Sequence, residues 1–160
     1  MDEPPAEDGA SSADAADGWA AVVGDMAATA AQYRDRGWTA IELHPADSGL
    51  VDTDSRRGID VVLSGPEFAE LEGAVAEGTF RDVEVFAAAD GGVVYLLVVE
   101  ADRRNETAVL LPVSYDPAAG AGTLEAIDES GSIRLYCRRA SDDTVTFVHD
   151  DPAPFLPQRS

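Results

Sequence analysis

The hydrophobic pattern of the chain centres on Gly92-Val93-Val94-Tyr95-Leu96-Leu97-Val98-Val99-Glu100, where seven consecutive apolar or aromatic residues, four of them valine, run without a charge. Such a run predicts a strand buried on both faces. Ahead of it, Val83-Glu84-Val85-Phe86 alternates as a half-buried strand does, and Asp90-Gly91-Gly92 supplies the φ > 0 positions of a tight hairpin. After it, Asp102-Arg103-Arg104-Asn105 reads as a polar turn and Thr107 to Val113 as a third strand. The stretch from Phe80 to Tyr115 is therefore expected to form a three-stranded antiparallel meander with its most apolar strand in the middle. Pro112 has no N–H to donate, which places the third strand at an edge or ends its pairing there.

Helical spacing dominates the N-terminal part. Trp19, Val22, Val23, Met26, Ala30 and Tyr33 fall at i, i+3, i+4, i+7 intervals, so a helix capped by Asp17 or Gly18 should run to about Arg36 with one apolar stripe. Gly37 suits the C′ position, and Trp38 can make the hydrophobic contact that accompanies such a stop. Trp19, Tyr33 and Trp38 are read as core packing rather than a ligand face. Trp38 to Leu43 then alternates as a short strand, Pro45 to Arg57 reads as a polar loop, and Gly58 to Leu63 as another strand. Ser64-Gly65-Pro66-Glu67 has capping-box spacing and opens a helix to Gly78 with Phe68, Leu71 and Val75 inward. Asp116-Pro117 resembles an N-cap and N1 pair, although Gly120 and Gly122 weaken the helix that follows by about 1 kcal/mol each; Leu124 and Ile127 would anchor it. Ser132 to Arg138 and Thr144 to His149 alternate across a turn at Ser141-Asp142-Asp143 and should form a closing hairpin.

These elements define an α+β fold: a single mainly antiparallel sheet, built from the central meander and a flanking hairpin, covered by two to three helices. Residues 1–17 hold six carboxylates, no basic residue and little to bury, and are expected to be a disordered acidic tail. Residues 18–151 form the domain, and 152–160 a proline-rich extended tail.

Charge changes the picture most. Of 160 residues, 31 are Asp or Glu and 11 are basic, giving a net charge of −20, and all the basic residues are arginine. So many carboxylates repel one another strongly in dilute buffer. The repulsion is tolerable where salt shortens the Debye length to about 3 Å, near 1 M. The absence of lysine fits the same setting, since Asp and Glu hydrate strongly and Arg keeps the bidentate pairing that lysine lacks. The composition thus points to a halophilic protein in a cytoplasm at molar salt. The first residues, Met1-Asp2-Glu3-Pro4-Pro5, lack the basic and apolar regions of a signal peptide, and no apolar run nears the 18 or so residues of a membrane span. Cys137 stands alone, which excludes an intramolecular disulfide and fits a packed core thiol.

Candidate chemistry is sparse. The sequence contains no Walker loop, dinucleotide fingerprint, nucleophile elbow or His-Glu-x-x-His motif, and no cofactor is expected. The two histidines each precede an aspartate: His44-Pro45-Ala46-Asp47 follows the first strand and His149-Asp150-Asp151 ends the last. Imidazole with carboxylate can hold a divalent metal or do acid–base work near neutral pH. His44, Asp47, His149 and Asp150 could share one site if the two strands were parallel neighbours. Ser48 and Ser114 have still less support as nucleophiles. Arg134, Tyr136 and Arg138 share one strand face and could accept an anion or nucleotide by pairing and stacking. Nucleic acid is disfavoured by the net charge and by the loss of counterion release in molar salt.

The segments Asp25-Met26-Ala27-Ala28-Thr29-Ala30, Tyr33-Arg34-Asp35-Arg36-Gly37-Trp38 and Glu42-Leu43-His44-Pro45-Ala46-Asp47 resemble a family of small haloarchaeal proteins of unknown function. The Gly91 to Val99 strand and the ending Thr146-Phe147-Val148-His149-Asp150-Asp151-Pro152 are similar to it as well. The resemblance implies a haloarchaeal source and a compact domain, and brings no activity, cofactor or catalytic residue with it. The functional expectation is a non-enzymatic module that binds a protein partner or itself. A metal-dependent or acid–base enzyme and an anion or nucleotide binder are the alternatives.

Overall fold

The most apolar strand demands cover on both faces, and the architecture supplies it with a helix on one side and a second sheet on the other. The computed structural model describes residues 7–157 apart from position 142, with side chains from Gly18 onward. In chain order the elements are α1 (Glu7–Asp35), β1 (Thr39–Glu42), β2 (Asp47–Asp52), β3 (Arg57–Val62), α2 (Gly65–Glu77), β4 (Asp82–Asp90), β5 (Val93–Asp102), β6 (Thr107–Tyr115), α3 (Ala121–Ser130), β7 (Ile133–Arg138) and β8 (Thr144–His149), followed by a 3₁₀ turn at Ala153–Phe155.

Among the described residues, eight strands form two four-stranded sheets rather than the one expected. The first has the order β1-β6-β5-β4 and the second β2-β3-β7-β8. The meander β4-β5-β6 is antiparallel throughout, and Gly91 and Gly92 turn its hairpin at φ 60° and 82°. Each sheet nevertheless contains one parallel pair, β1 with β6 and β3 with β7, so both are mixed. The β7–β8 hairpin forms as its alternation predicts, but it joins the second sheet instead of flanking the meander. Position 142, inside its turn, lies outside the described residues.

The two faces of β5 show why one sheet was insufficient. Tyr95, Leu97 and Val99 point to α1, where Val22, Met26, Ala30 and Tyr33 form the predicted stripe. Val94, Leu96 and Val98 point the other way, against Ile59 and Val61 of β3, Leu135 and Cys137 of β7 and Phe147 of β8. Phe68 and Leu71 of α2 and Ile127 of α3 enter this second core. α1 therefore covers one face of the first sheet, and the second sheet lies against the other.

Several local signals operate as the residues dictate. Trp38 N–H bonds the Tyr33 carbonyl at 3.0 Å and Gly37 N–H that of Arg34 at 2.9 Å, with Gly37 at φ 86°. This is the two-bond Schellman stop, and the Trp38 ring packs 5.2 Å from Tyr33 to complete it. Pro112 lies beyond the reach of β1, which ends opposite Leu110, so its missing N–H costs no ladder bond on that side. Ser64 caps α2 by accepting the Glu67 N–H at 3.3 Å.

Other boundaries move. The expected loop from Pro45 to Arg57 contains β2, whose Leu50 and Val51 pair with Ile59 and Gly58. Helix α1 begins at Glu7, ahead of the expected cap at Asp17 or Gly18. Residues 7–17 of the expected tail are thus the first turns of this helix, while residues 1–6 lie outside the described residues. Past residue 151 the chain does not leave the domain, because Pro152 and Phe155 are buried.

Candidate functional site

The two histidines are held apart by the topology. β1, which leads into His44, belongs to the first sheet, and β8, which ends in His149, is the outer strand of the second, so they are not parallel neighbours. His44 is half-exposed, and its backbone N–H and ring Nδ1 meet the two carboxylate oxygens of Glu67 at 2.9 and 3.1 Å. Glu67 thereby turns away from the reciprocal capping bond that its spacing with Ser64 offered. Asp47 is exposed and accepts the Ser48 N–H at 2.9 Å. Asp150 is exposed. Among the described residues, no group of three or more His, Cys, Asp and Glu side chains is placed to hold a metal ion.

His149 instead meets a residue that the sequence reading passed over. Its Nε2 lies 2.7 Å from Oε2 of Glu100, which is fully buried between the sheets. The other carboxylate oxygen, Oε1, has no hydrogen-bond partner among the described residues. Burial pushes the Glu100 carboxyl above its ordinary range, and the hydrogen bond and charge of His149 pull it part of the way back. Phe155 stacks on the imidazole with ring centroids 5.4 Å apart, and the Phe155 carbonyl accepts the Tyr115 hydroxyl at 2.6 Å. The chain end thus seals the pair. With Glu100 at 0% exposure and His149 at 10%, no substrate reaches the carboxylate in this conformation. The usable signal was parity: Glu100 shares the face of Val94, Leu96 and Val98 on a doubly buried strand.

Two further groups of candidate residues have structural partners. Ser48 Oγ accepts the Ser114 N–H at 2.9 Å and donates to the Ser114 carbonyl at 3.0 Å, bridging β2 and β6. On the outer face of the second sheet, Arg138 grips Asp60 with Nε at 2.9 Å and Nη2 at 3.0 Å. The Arg56 guanidinium covers the Tyr136 ring at 5.2 Å, and the Tyr136 hydroxyl accepts the Arg57 N–H at 3.0 Å. The stacking face and the fork that an anion or nucleotide would use are occupied by the protein itself. Arg134 is exposed on the same face. Cys137 is buried in the inter-sheet core, and burial, then the charges of Glu100 and Asp60, push its thiol well up.

Asp102, on the same face of β5 as Glu100, is 2% exposed and fastens the α2 end to the β5–β6 turn. Burial disfavours its charge, but hydrogen bonds from the Asn105 side chain and backbone and from Thr79 and Arg104 hold its carboxyl below the usual range. The cavity beside it, about 610 Å³, is lined by Glu77, Thr79, Arg81, Arg103 and Arg104 among others.

The least protected feature is β4. It pairs with β5 on one side, while its other side is the edge of the first sheet. From Phe86 to Asp90 every residue is exposed, Phe86 to 49%. A groove of about 320 Å³ separates this strand from α1, walled by Gly18, Ala21, Val22, Phe86 and Ala88. Gly18 is required at its floor, because a Cβ there would strike the Tyr95 ring.

Fold and site together describe a helix-backed two-sheet α+β protein with a sealed Glu–His pair and an open apolar edge. The chain belongs to DUF7529, a family of unknown function whose model matches residues 6–157. Neither the curated proteins nor the solved structures contain a match to it. No described helix is long and apolar enough to cross a membrane.

Proposed function

We propose that this chain is a non-enzymatic association module of a cytoplasm at molar salt, and that it works through the edge of β4. The observation that supports the reading is the stretch Val85-Phe86-Ala87-Ala88-Ala89: five uncharged residues on an edge strand, four of them exposed. Edge strands are ordinarily protected by charge, proline, a bulge or short length, and this nine-residue strand has none of these across its middle. An extended apolar edge adds a strand from another chain by backbone hydrogen bonding. The net charge of −20 without lysine supports the saline setting, where screening lets acidic surfaces approach.

The test is light scattering and affinity capture in 3 M KCl, comparing the wild-type chain with Phe86→Lys. The reading expects the wild type to self-associate or to retain a defined partner, and the variant to lose that association while keeping its melting temperature. A wild-type chain that stays monomeric at every concentration and retains nothing contradicts it.

A further inference from the structure

We infer that the cavity between the end of α2 and the β5–β6 turn is a binding site for a small phosphorylated ligand, gripped by Arg81 and Arg104. Its occupancy does not depend on the association reading above.

The first observation concerns which arginines lack a partner. Carboxylates outnumber basic residues on this chain, 31 to 11. Arg34, Arg56, Arg57, Arg103, Arg138 and Arg139 each pair with one, at 3.8 Å or less. Arg36 lies 4.8 Å over the Tyr33 ring. Arg81, Arg104 and Arg134 make no ion pair among the described residues. Arg134 stands on the outer face of the second sheet, whereas Arg81 and Arg104 line the same cavity of about 610 Å³. They reach it from different parts of the chain, Arg81 from the segment between α2 and β4 and Arg104 from the β5–β6 turn.

The neighbouring carboxylates are committed elsewhere. Asp82, next to Arg81 in the chain, pairs with Arg103 at 2.9 Å. Asp102 turns inward, and its oxygens accept the Thr79 N–H at 3.2 Å, the Asn105 N–H at 3.2 Å and the Asn105 side-chain amide at 2.7 Å. Glu77 is then the one lining carboxylate without a side-chain partner among the described residues. The lining charges balance, with Arg81, Arg103 and Arg104 against Glu77, Asp82 and Asp102, on a chain that carries −20 overall. What the cavity offers an anion is therefore a set of unspent hydrogen-bond donors rather than net positive charge. Their placement is fixed in advance. The Asn105 side chain also donates to the Glu77 carbonyl at 3.1 Å, and Gly78 lets its segment close on Asp102, whose carboxylate a Cβ would strike. The two segments that carry the free guanidiniums are thus tied to each other before any ligand arrives, which lowers the ordering cost of binding.

Donor geometry selects the ligand class. Each guanidinium presents a planar fork that bonds two acceptor oxygens at once. A phosphoryl group has oxygens enough to accept forks from two sides, where a carboxylate is filled by one. Chloride gives a fork a single centre and competes with it poorly even at molar concentration. Thr79, which also lines the cavity, adds a hydroxyl. The volume of about 610 Å³ lies within the range of about 300–1,000 Å³ for small-molecule sites, so there is room for more than one phosphoryl group. The net charge of −20 opposes an incoming anion at long range, and molar salt removes that opposition while the short-range forks remain.

Titration calorimetry of the full chain in 3 M KCl tests this, with pyrophosphate and ADP as probes and Arg81→Gln, Arg104→Gln and Arg134→Gln as variants. All three arginines are exposed, so each variant should keep the wild-type melting temperature. The wild type is expected to bind pyrophosphate. Arg81→Gln and Arg104→Gln should each weaken that binding by about tenfold or more, the loss of a hydrogen bond to a charged group. Arg134→Gln, which removes the same charge at a distance, should bind as the wild type does. ADP bound more tightly than pyrophosphate supports a nucleotide as the source of the phosphoryl group, and the reverse order supports a free phosphate. A wild type that binds neither probe overturns the site. So does binding that Arg81→Gln and Arg104→Gln leave unchanged, or that all three variants weaken alike. None of these outcomes alters the association reading, which the Phe86→Lys comparison decides separately.

Discussion

Glu100 and His149 meet at 2.7 Å across the interior, one from the end of β5 in the first sheet and the other from the end of β8 in the second. The contact ties the sheets together at a place where Phe155 stacks over the imidazole and Cys137 lies in the surrounding core. Its cost is a buried carboxylate with one oxygen unpaired among the described residues. An unsatisfied buried acceptor costs about 1–3 kcal/mol.

The pH dependence of stability follows from the raised Glu100 carboxyl. A carboxyl whose value is higher in the folded chain binds its proton more tightly there, so its contribution is fully favourable below the unfolded value of 4.5. That contribution declines as pH rises from there through the higher folded value. Glu100→Gln keeps a hydrogen bond to His149 and removes the titration. Denaturant unfolding in 3 M KCl at pH 4 and pH 7 should show the variant gaining on the wild type as pH rises. An offset that is the same at both pH values contradicts the argument.

The Ser48 bridge predicts a structural loss with no effect on association. Ser48→Ala leaves both the N–H and the carbonyl of Ser114 without the hydroxyl that each uses. Unfolding free energy should fall by about 1–3 kcal/mol, while the sedimentation behaviour of the folded chain stays that of the wild type.

Gly58 marks the closest approach in the second sheet. A Cβ at this position runs into the backbone carbonyl of Arg134, its partner across the parallel β3–β7 pair. Backbone cannot yield as a side chain can, so Gly58→Ala should destabilise by about 2–4 kcal/mol. The nearby Gly49→Ala, with open space around its Cβ, serves as the control and should cost little.

Much of the fold was legible because local chemistry determines it. The Gly37–Trp38 stop, the Gly91–Gly92 turn and the Ser64 cap depend on residues within a few positions of one another. The doubly buried run could be read from its unbroken valines and leucines. What covered its second face could not, since period-2 alternation in β7 and β8 says which side is apolar and not which sheet the strand joins. The parallel pairings of β1 with β6 and of β3 with β7 span long stretches of chain and leave no local mark. β2 escaped notice because Asp47-Ser48-Gly49 and Asp52 surround only two apolar residues, Leu50 and Val51. At the candidate site, proximity in sequence pointed each histidine to the aspartate beside it. Folding gave both to glutamates far along the chain, Glu67 and Glu100. Glu100 was readable only by counting parity along β5.

The central claim, that an unprotected β4 edge is used for pairing in concentrated salt, is tested most directly by amide hydrogen exchange along residues 82–90. In 3 M KCl, exchange within β4 should slow as protein concentration rises, while β8, the outer strand of the second sheet, exchanges at an unchanged rate. Exchange in β4 that is independent of concentration and as fast as in β8 would contradict the account.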